Sequence, residues 1–162
     1  MAKLSPRLVL SLMGLACGGS VVLALLAQHK FGMEPCPWCI LQRMIFIVLT
    51  VLCLAAAAMP AAALRRVLSA LALPLTLGGM AAALWQHFVA AKSSSCALTF
   101  ADKVITFVGA DTRWPDIFEV RASCADAAAT VLGVPFEFWS LALFAVVGMA
   151  LLYSLVTPDR RA

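Results

Sequence analysis

Ile40-Leu41-Gln42-Arg43-Met44-Ile45-Phe46-Ile47-Val48-Leu49-Thr50-Val51-Leu52-Cys53-Leu54-Ala55-Ala56-Ala57-Ala58-Met59 carries a single charged side chain, Arg43, close to its start. A helix needs about 20 largely apolar residues to cross the hydrocarbon core of a bilayer, and this stretch supplies them. Three more runs of the same kind occupy residues 8–27, 67–89 and 136–156. Pro60 and the pair Arg65–Arg66 close the second run; Pro158 and Arg160–Arg161 close the fourth. Pro74 and Gly78–Gly79 interrupt the third, which membrane helices tolerate where neighbours satisfy the freed backbone groups. The first run follows Lys3 and Arg7. It exceeds the roughly 7–15 apolar residues of a secretory signal and ends without a clean cleavage site, so it is taken as a span. The expected fold class is an all-α membrane protein. A single domain over 1–162 forms a four-transmembrane-helix bundle, with loops at about 28–39 and 91–135.

Composition agrees. Of 162 residues, 64% are hydrophobic and 12% charged, against roughly half and a quarter in soluble domains. A soluble fold of this size keeps too much surface wet to hide that apolar content; a lipid bilayer is its natural solvent. The net charge of +4 forms no basic stripe, which argues against nucleic-acid binding.

Basic residues orient the spans. The N-terminus, the 60–66 turn and the C-terminal tail are short, yet hold Lys3, Arg7, Arg65, Arg66, Arg160 and Arg161. The opposite loops are much longer and hold only Lys30, Lys92, Lys103, Arg113 and Arg121, among Asp102, Asp111, Asp116, Glu119 and Asp126. Both termini are therefore expected in the cytoplasm of a bacterial inner membrane, with both loops in the periplasm. In the second loop, Trp114, Ile117, Phe118 and Arg121 recur at helical spacing, with Asp111 or Thr112 as caps, and residues 104–108 form another apolar patch. A short amphipathic helix on the membrane surface is expected here.

Four of the six cysteines, Cys36, Cys39, Cys96 and Cys124, lie in these loops, on the side where a bacterium is oxidising. Cys17 and Cys53 lie in apolar runs and read as packing residues. Cys36-Pro37-Trp38-Cys39 places two sulfurs within bridging reach at the entrance to the second span, where free N–H groups and the helix dipole favour a thiolate. Pro35 and Pro37 keep the helix from starting earlier. Arg43 follows one turn deeper on the same face. An arginine inside a span is costly and marks function by default; its donors suit a quinone carbonyl or the reduced anion, while the plainer alternative is that it snorkels to the headgroups. His87, at comparable depth in the third span, is a further candidate for a quinone oxygen, or else a solvated helix end. Gln42 and Gln86 are weaker candidates. Cys96 and Cys124 fit a redox relay, a static disulfide bracing the loop, or, least well, a zinc site.

The run Pro35-Cys36-Pro37-Trp38-Cys39-Ile40-Leu41-Gln42-Arg43 resembles the DsbB family of bacterial disulfide-bond-forming membrane oxidases. That family joins a Cys-x-x-Cys in the first periplasmic loop, an arginine four residues on and a second cysteine pair in the second loop. The likeness covers essentially the whole chain, and Trp139–Ser140 after Pro135 also resembles the family. It implies redox-active disulfides Cys36–Cys39 and Cys96–Cys124, and a soluble DsbA-like thioredoxin-fold oxidant as partner, attacking at Cys96. Freed Cys124 would then attack Cys36, and Cys39 would donate electrons to ubiquinone or menaquinone beside Arg43, with no metal. Three rivals predict otherwise. A tetraspan scaffold with structural disulfides tolerates Arg43→Ala. A quinone reductase of the vitamin K epoxide reductase type carries its Cys-x-x-Cys late in the bundle. A reductive carrier runs the same exchanges backwards, since direction depends on potentials.

Overall fold

The computed structural model describes residues 4–92 and 99–157. Four long helices, α1 (Pro6–Phe31), α2 (Pro37–Ala58), α3 (Ala62–Phe88) and α7 (Phe136–Val156), are each long and apolar enough to cross a membrane. Between α3 and α7 lie a 3-10 turn (Ala90–Lys92), three short helices, α4 (Phe100–Val108), α5 (Ala110–Arg113) and α6 (Pro115–Phe118), and a small hairpin of β1 (Thr130–Val131) and β2 (Val134–Pro135).

Local chemistry sets the helix ends. Ser5 caps α1 by accepting the Leu8 N–H, and Pro6 opens it, where a missing N–H costs nothing. The helix continues past the apolar run through Gln28, His29 and Lys30. It stops where Gly32 turns left-handed at φ 64° and donates its N–H to the Ala27 carbonyl. At the start of α2 the Cys36 sulfur takes the capping position and accepts the Cys39 N–H at 3.4 Å, with Pro37 next. α3 starts earlier than its apolar run and carries Arg65 and Arg66 in its first turns; Pro74 lies inside it.

α2 packs against α1 on one side and α3 on the other, and α7 closes the bundle chiefly on α3. The α1–α7 seam is the looser one. Leu10, Cys17, Phe46, Leu49, Cys53, Phe144, Val147 and Leu151 fill the centre. There the rings of Phe46 and Phe144 stack with centroids 4.1 Å apart and planes 4° from parallel. Large apolar side chains such as Leu23, Leu77 and Met149 face outward, as a lipid-solvated bundle requires.

The second loop carries the expected amphipathic helix, and it is α4, over the 104–108 apolar patch rather than the 114–121 spacing. Thr99 accepts the Asp102 N–H, and the Asp102 carboxylate accepts the Thr99 N–H in return, a reciprocal box that satisfies two orphan donors. Ala101 and Ile105 face inward while Phe100 and Phe107 point out. The helical spacing at 114–121 yields only the single turn of α6. Pro115 forbids helical backbone at Trp114, which sits at φ −139°, ψ 68°. Beyond α6 the chain returns to the first loop: the Arg121 and Ala122 N–H groups both donate to the Pro35 carbonyl, at 3.1 and 3.4 Å. That clamp brings the second loop against Cys36.

Candidate functional site

Cys36 is fully buried at the tip of α2. Its sulfur lies 3.0 Å from that of Cys39, one turn further in. Cys124, carried in by the 121–122 clamp, packs in the same apolar cluster as Cys36, Trp38, Leu41 and Ala82. Cys36 therefore has two cysteine neighbours. The neighbouring Cys124 thiol, then that of Cys39, and burial push the Cys36 thiol above its ordinary range. Cys96 lies outside the described residues.

Cys39 faces a different set of groups. The Gln42 Nε2 donates to Gln86 Oε1 at 2.7 Å, and the Gln86 Nε2 donates to the Cys39 sulfur at 3.2 Å. Both glutamines are buried, so the pair forms a chain that delivers one N–H to the sulfur. Arg43 is buried too. Its Nη1 donates to Gln28 Oε1 at 3.0 Å and to the Ile117 carbonyl, and Gln28 in turn donates to the Asp116 carbonyl at 3.4 Å. The guanidinium is thus held between α1 and α6 rather than snorkelling outward. Its Nε is buried with no partner among the described residues.

A cavity of about 700 Å³ opens along the loose α1–α7 seam. Cys39, Gln42, Arg43, Gln86 and Glu137 line one part of it, and Val21, Leu23, Phe46 and Leu143 are among the apolar residues that line the rest. The hairpin adds Val131, whose carbonyl accepts the Trp139 indole N–H at 3.3 Å. His87 is not among the lining residues. Its Nδ1 stands 2.7 Å from Glu137 Oε1, so Glu137 lies between it and the cavity.

Residues 6–154 match the family described as Disulfide bond formation protein DsbB. The "Disulfide bond formation protein B" of Verminephrobacter eiseniae is 35% identical over 98% of this chain and 90% of its own length. That of Ralstonia nicotianae is 31% identical over 88% and 89%, and "Disulfide bond formation protein B 1" of Pseudomonas putida 29% over 96% and 94%. The chain belongs to the DsbB family. It is accordingly a multi-pass inner-membrane oxidoreductase, a thiol–disulfide oxidase linked to quinone.

The DsbB family's quinone linkage sets a test for the cavity, and its residues fit. A quinone presents carbonyl oxygens on a ring with an apolar tail. The cavity offers an unpartnered buried Arg43 Nε and two amides near Cys39, with apolar walls beyond, and its volume lies within the range of about 300–1,000 Å³ usual for ligand sites. The sequence reading passed over Glu137. A carboxylate in the first turn of an otherwise apolar span was the signal that pointed to it.

Proposed function

We propose that this DsbB-family chain reoxidises a DsbA-like dithiol in the periplasm and passes the electrons to ubiquinone or menaquinone, with both termini cytoplasmic. The observation that carries the proposal is the position of Cys36, its sulfur 3.0 Å from that of Cys39 and packed in one buried cluster with Cys124, while Cys39 borders the cavity that holds Arg43. The basic residues of the 60–66 turn and the two tails support the orientation.

A thiolate of the partner attacks Cys96 of the Cys96–Cys124 disulfide and frees Cys124. Cys124 attacks Cys36, breaks the Cys36–Cys39 bond and releases Cys39 as a thiolate. The partner's second thiolate resolves the mixed disulfide at Cys96 and leaves oxidised. Cys96 then recloses on Cys124 and frees Cys36. Each exchange is thiolate attack on a disulfide sulfur. Gln86 donates its N–H to the Cys39 sulfur, and the fixed charge of Arg43 stands by it, so the released thiolate is held where electrons exit. Quinone, when bound, supplies the two-electron sink that lets Cys36 and Cys39 close again.

The test is quinone consumption by the purified protein in detergent, supplied with a reduced DsbA-like partner and either quinone class. Wild type is expected to turn over and Cys39→Ser to lose all turnover. Absence of turnover in both, with partner and quinones of proven competence, returns the cysteines to a structural role.

A further inference from the structure

Glu137 is 7% exposed, in the first turn of α7, and borders the cavity alongside Arg43, Cys39 and Gln86. A carboxylate at this depth needs a reason. Its partner is His87 on α3, at 2.7 Å, and the His87 side chain is 30% exposed. The two side chains thus connect the cavity wall to the surface through one hydrogen bond. Phe138 and Phe88 pack on the imidazole, with centroids 4.6 and 4.9 Å away, and hold it in that role.

The redox step gives such a connection work to do. A reduced pair carrying one thiol, at Cys36, and one thiolate, at Cys39, yields two electrons and one proton when its S–S bond forms. Reducing a quinone to a hydroquinone takes two electrons and two protons. One proton per turnover must therefore come from water, into a cavity whose walls are mostly apolar. The fixed donors around it do not supply one: the amides of Gln42 and Gln86 carry no labile acid proton, and Arg43 does not give up its charge.

We propose that Glu137 and His87 are the proton inlet of the quinone site. Glu137 donates to the quinone oxygen and is reloaded through its Oε1 from His87 Nδ1, which exchanges with the aqueous phase. Glu137 is then a catalytic residue, and His87 acts through it as a relay. This rests on the quinone reading of the cavity given above. The titratable or charged groups sharing the space around Glu137 are Glu34 from the first loop, Cys39 and Arg43 from α2, and His87 from α3.

The test compares wild type, Glu137→Gln, His87→Gln and the double variant, each full-length in detergent, with a short-chain ubiquinone analogue as probe. Two quantities are read: equilibrium binding of the quinone to the oxidised protein, which needs no turnover, and the single-turnover rate of quinone reduction by pre-reduced protein. Glu137→Gln is expected to bind quinone as wild type does and to reduce it about a hundredfold more slowly. His87→Gln should slow the reaction while leaving quinone binding unchanged, and the double variant should be no slower than Glu137→Gln, because the two groups act in series. Weaker binding with an unchanged rate at saturation would make Glu137 a wall of the site and overturn the proposal. So would variants unchanged in both quantities while wild-type turnover still depends on Cys39. A wild type that neither binds nor reduces quinone would instead bring down the parent reading, and this one with it.

Discussion

Gln86 gives Cys39 a hydrogen bond without bringing a charge, and Gln42 fixes the amide so that its N–H, not its oxygen, faces the sulfur. In a site poor in water such a donor favours the thiolate over the disulfide-bonded sulfur, since hydrogen bonds to charged groups are worth about 1.5–3 kcal/mol. Gln86→Leu keeps the volume and removes the donor. It is expected to shift the equilibrium between the Cys36–Cys39 pair and a reference dithiol towards the disulfide by about tenfold or more, read by quantifying thiols after equilibration; an unshifted equilibrium would show that Arg43 alone sets the thiolate. At this scale the sequence was legible where a site lies on one helix. Cys39 and Arg43 are one turn apart, and their spacing placed them together. Gln42 and Gln86 ranked low because each is an ordinary polar residue until the α2–α3 packing joins them. His87 and Glu137 are fifty residues apart, and no periodicity links positions on α3 and α7.

Between α3 and α7 the chain is short elements held by backbone contacts, and here expectation and structure diverge most. Helical spacing alone favoured 114–121, but Pro115 outweighs it, because the residue before a proline is driven out of helical backbone. The better signal was Thr99-Phe100-Ala101-Asp102, a capping-box pattern ahead of the 104–108 apolar patch. The closure of the second loop onto Pro35 was not legible at all, since backbone hydrogen bonds of irregular segments leave no mark on side-chain pattern. Because Thr99 and Asp102 hold each other's N–H groups, Thr99→Ala should cost α4 about 1 kcal/mol. Hydrogen exchange is expected to show amides of α4 opening about fivefold more often, with α2 and α7 unaffected. Equal acceleration across all helices would mean that α4 does not open on its own.

For the molecule as a whole, lipid offers helices no hydrophobic reason to associate, so close packing at small residues must do it. The adjacent Gly78 and Gly79 separate that contribution from helix propensity. Gly79 faces α7 so closely that an added Cβ would run into the Phe144 ring, whereas a Cβ on Gly78 would meet nothing within 4 Å. Phe144 stacks on Phe46, and Phe46 lines the cavity, so strain at Gly79 is passed to the cavity wall. Gly79→Val should destabilise the bundle by about 1–3 kcal/mol, seen as a lower melting temperature in detergent, and should weaken quinone binding as Phe46 is pushed across the wall. Gly78→Ala should leave binding intact and raise stability by up to about 1 kcal/mol. If Gly79→Val lowered the melting temperature without touching affinity, the Phe144–Phe46 stack would absorb the displacement and the cavity would be insulated from the bundle core. If the two variants behaved alike, the α3–α7 interface would not rest on the close approach at Gly79.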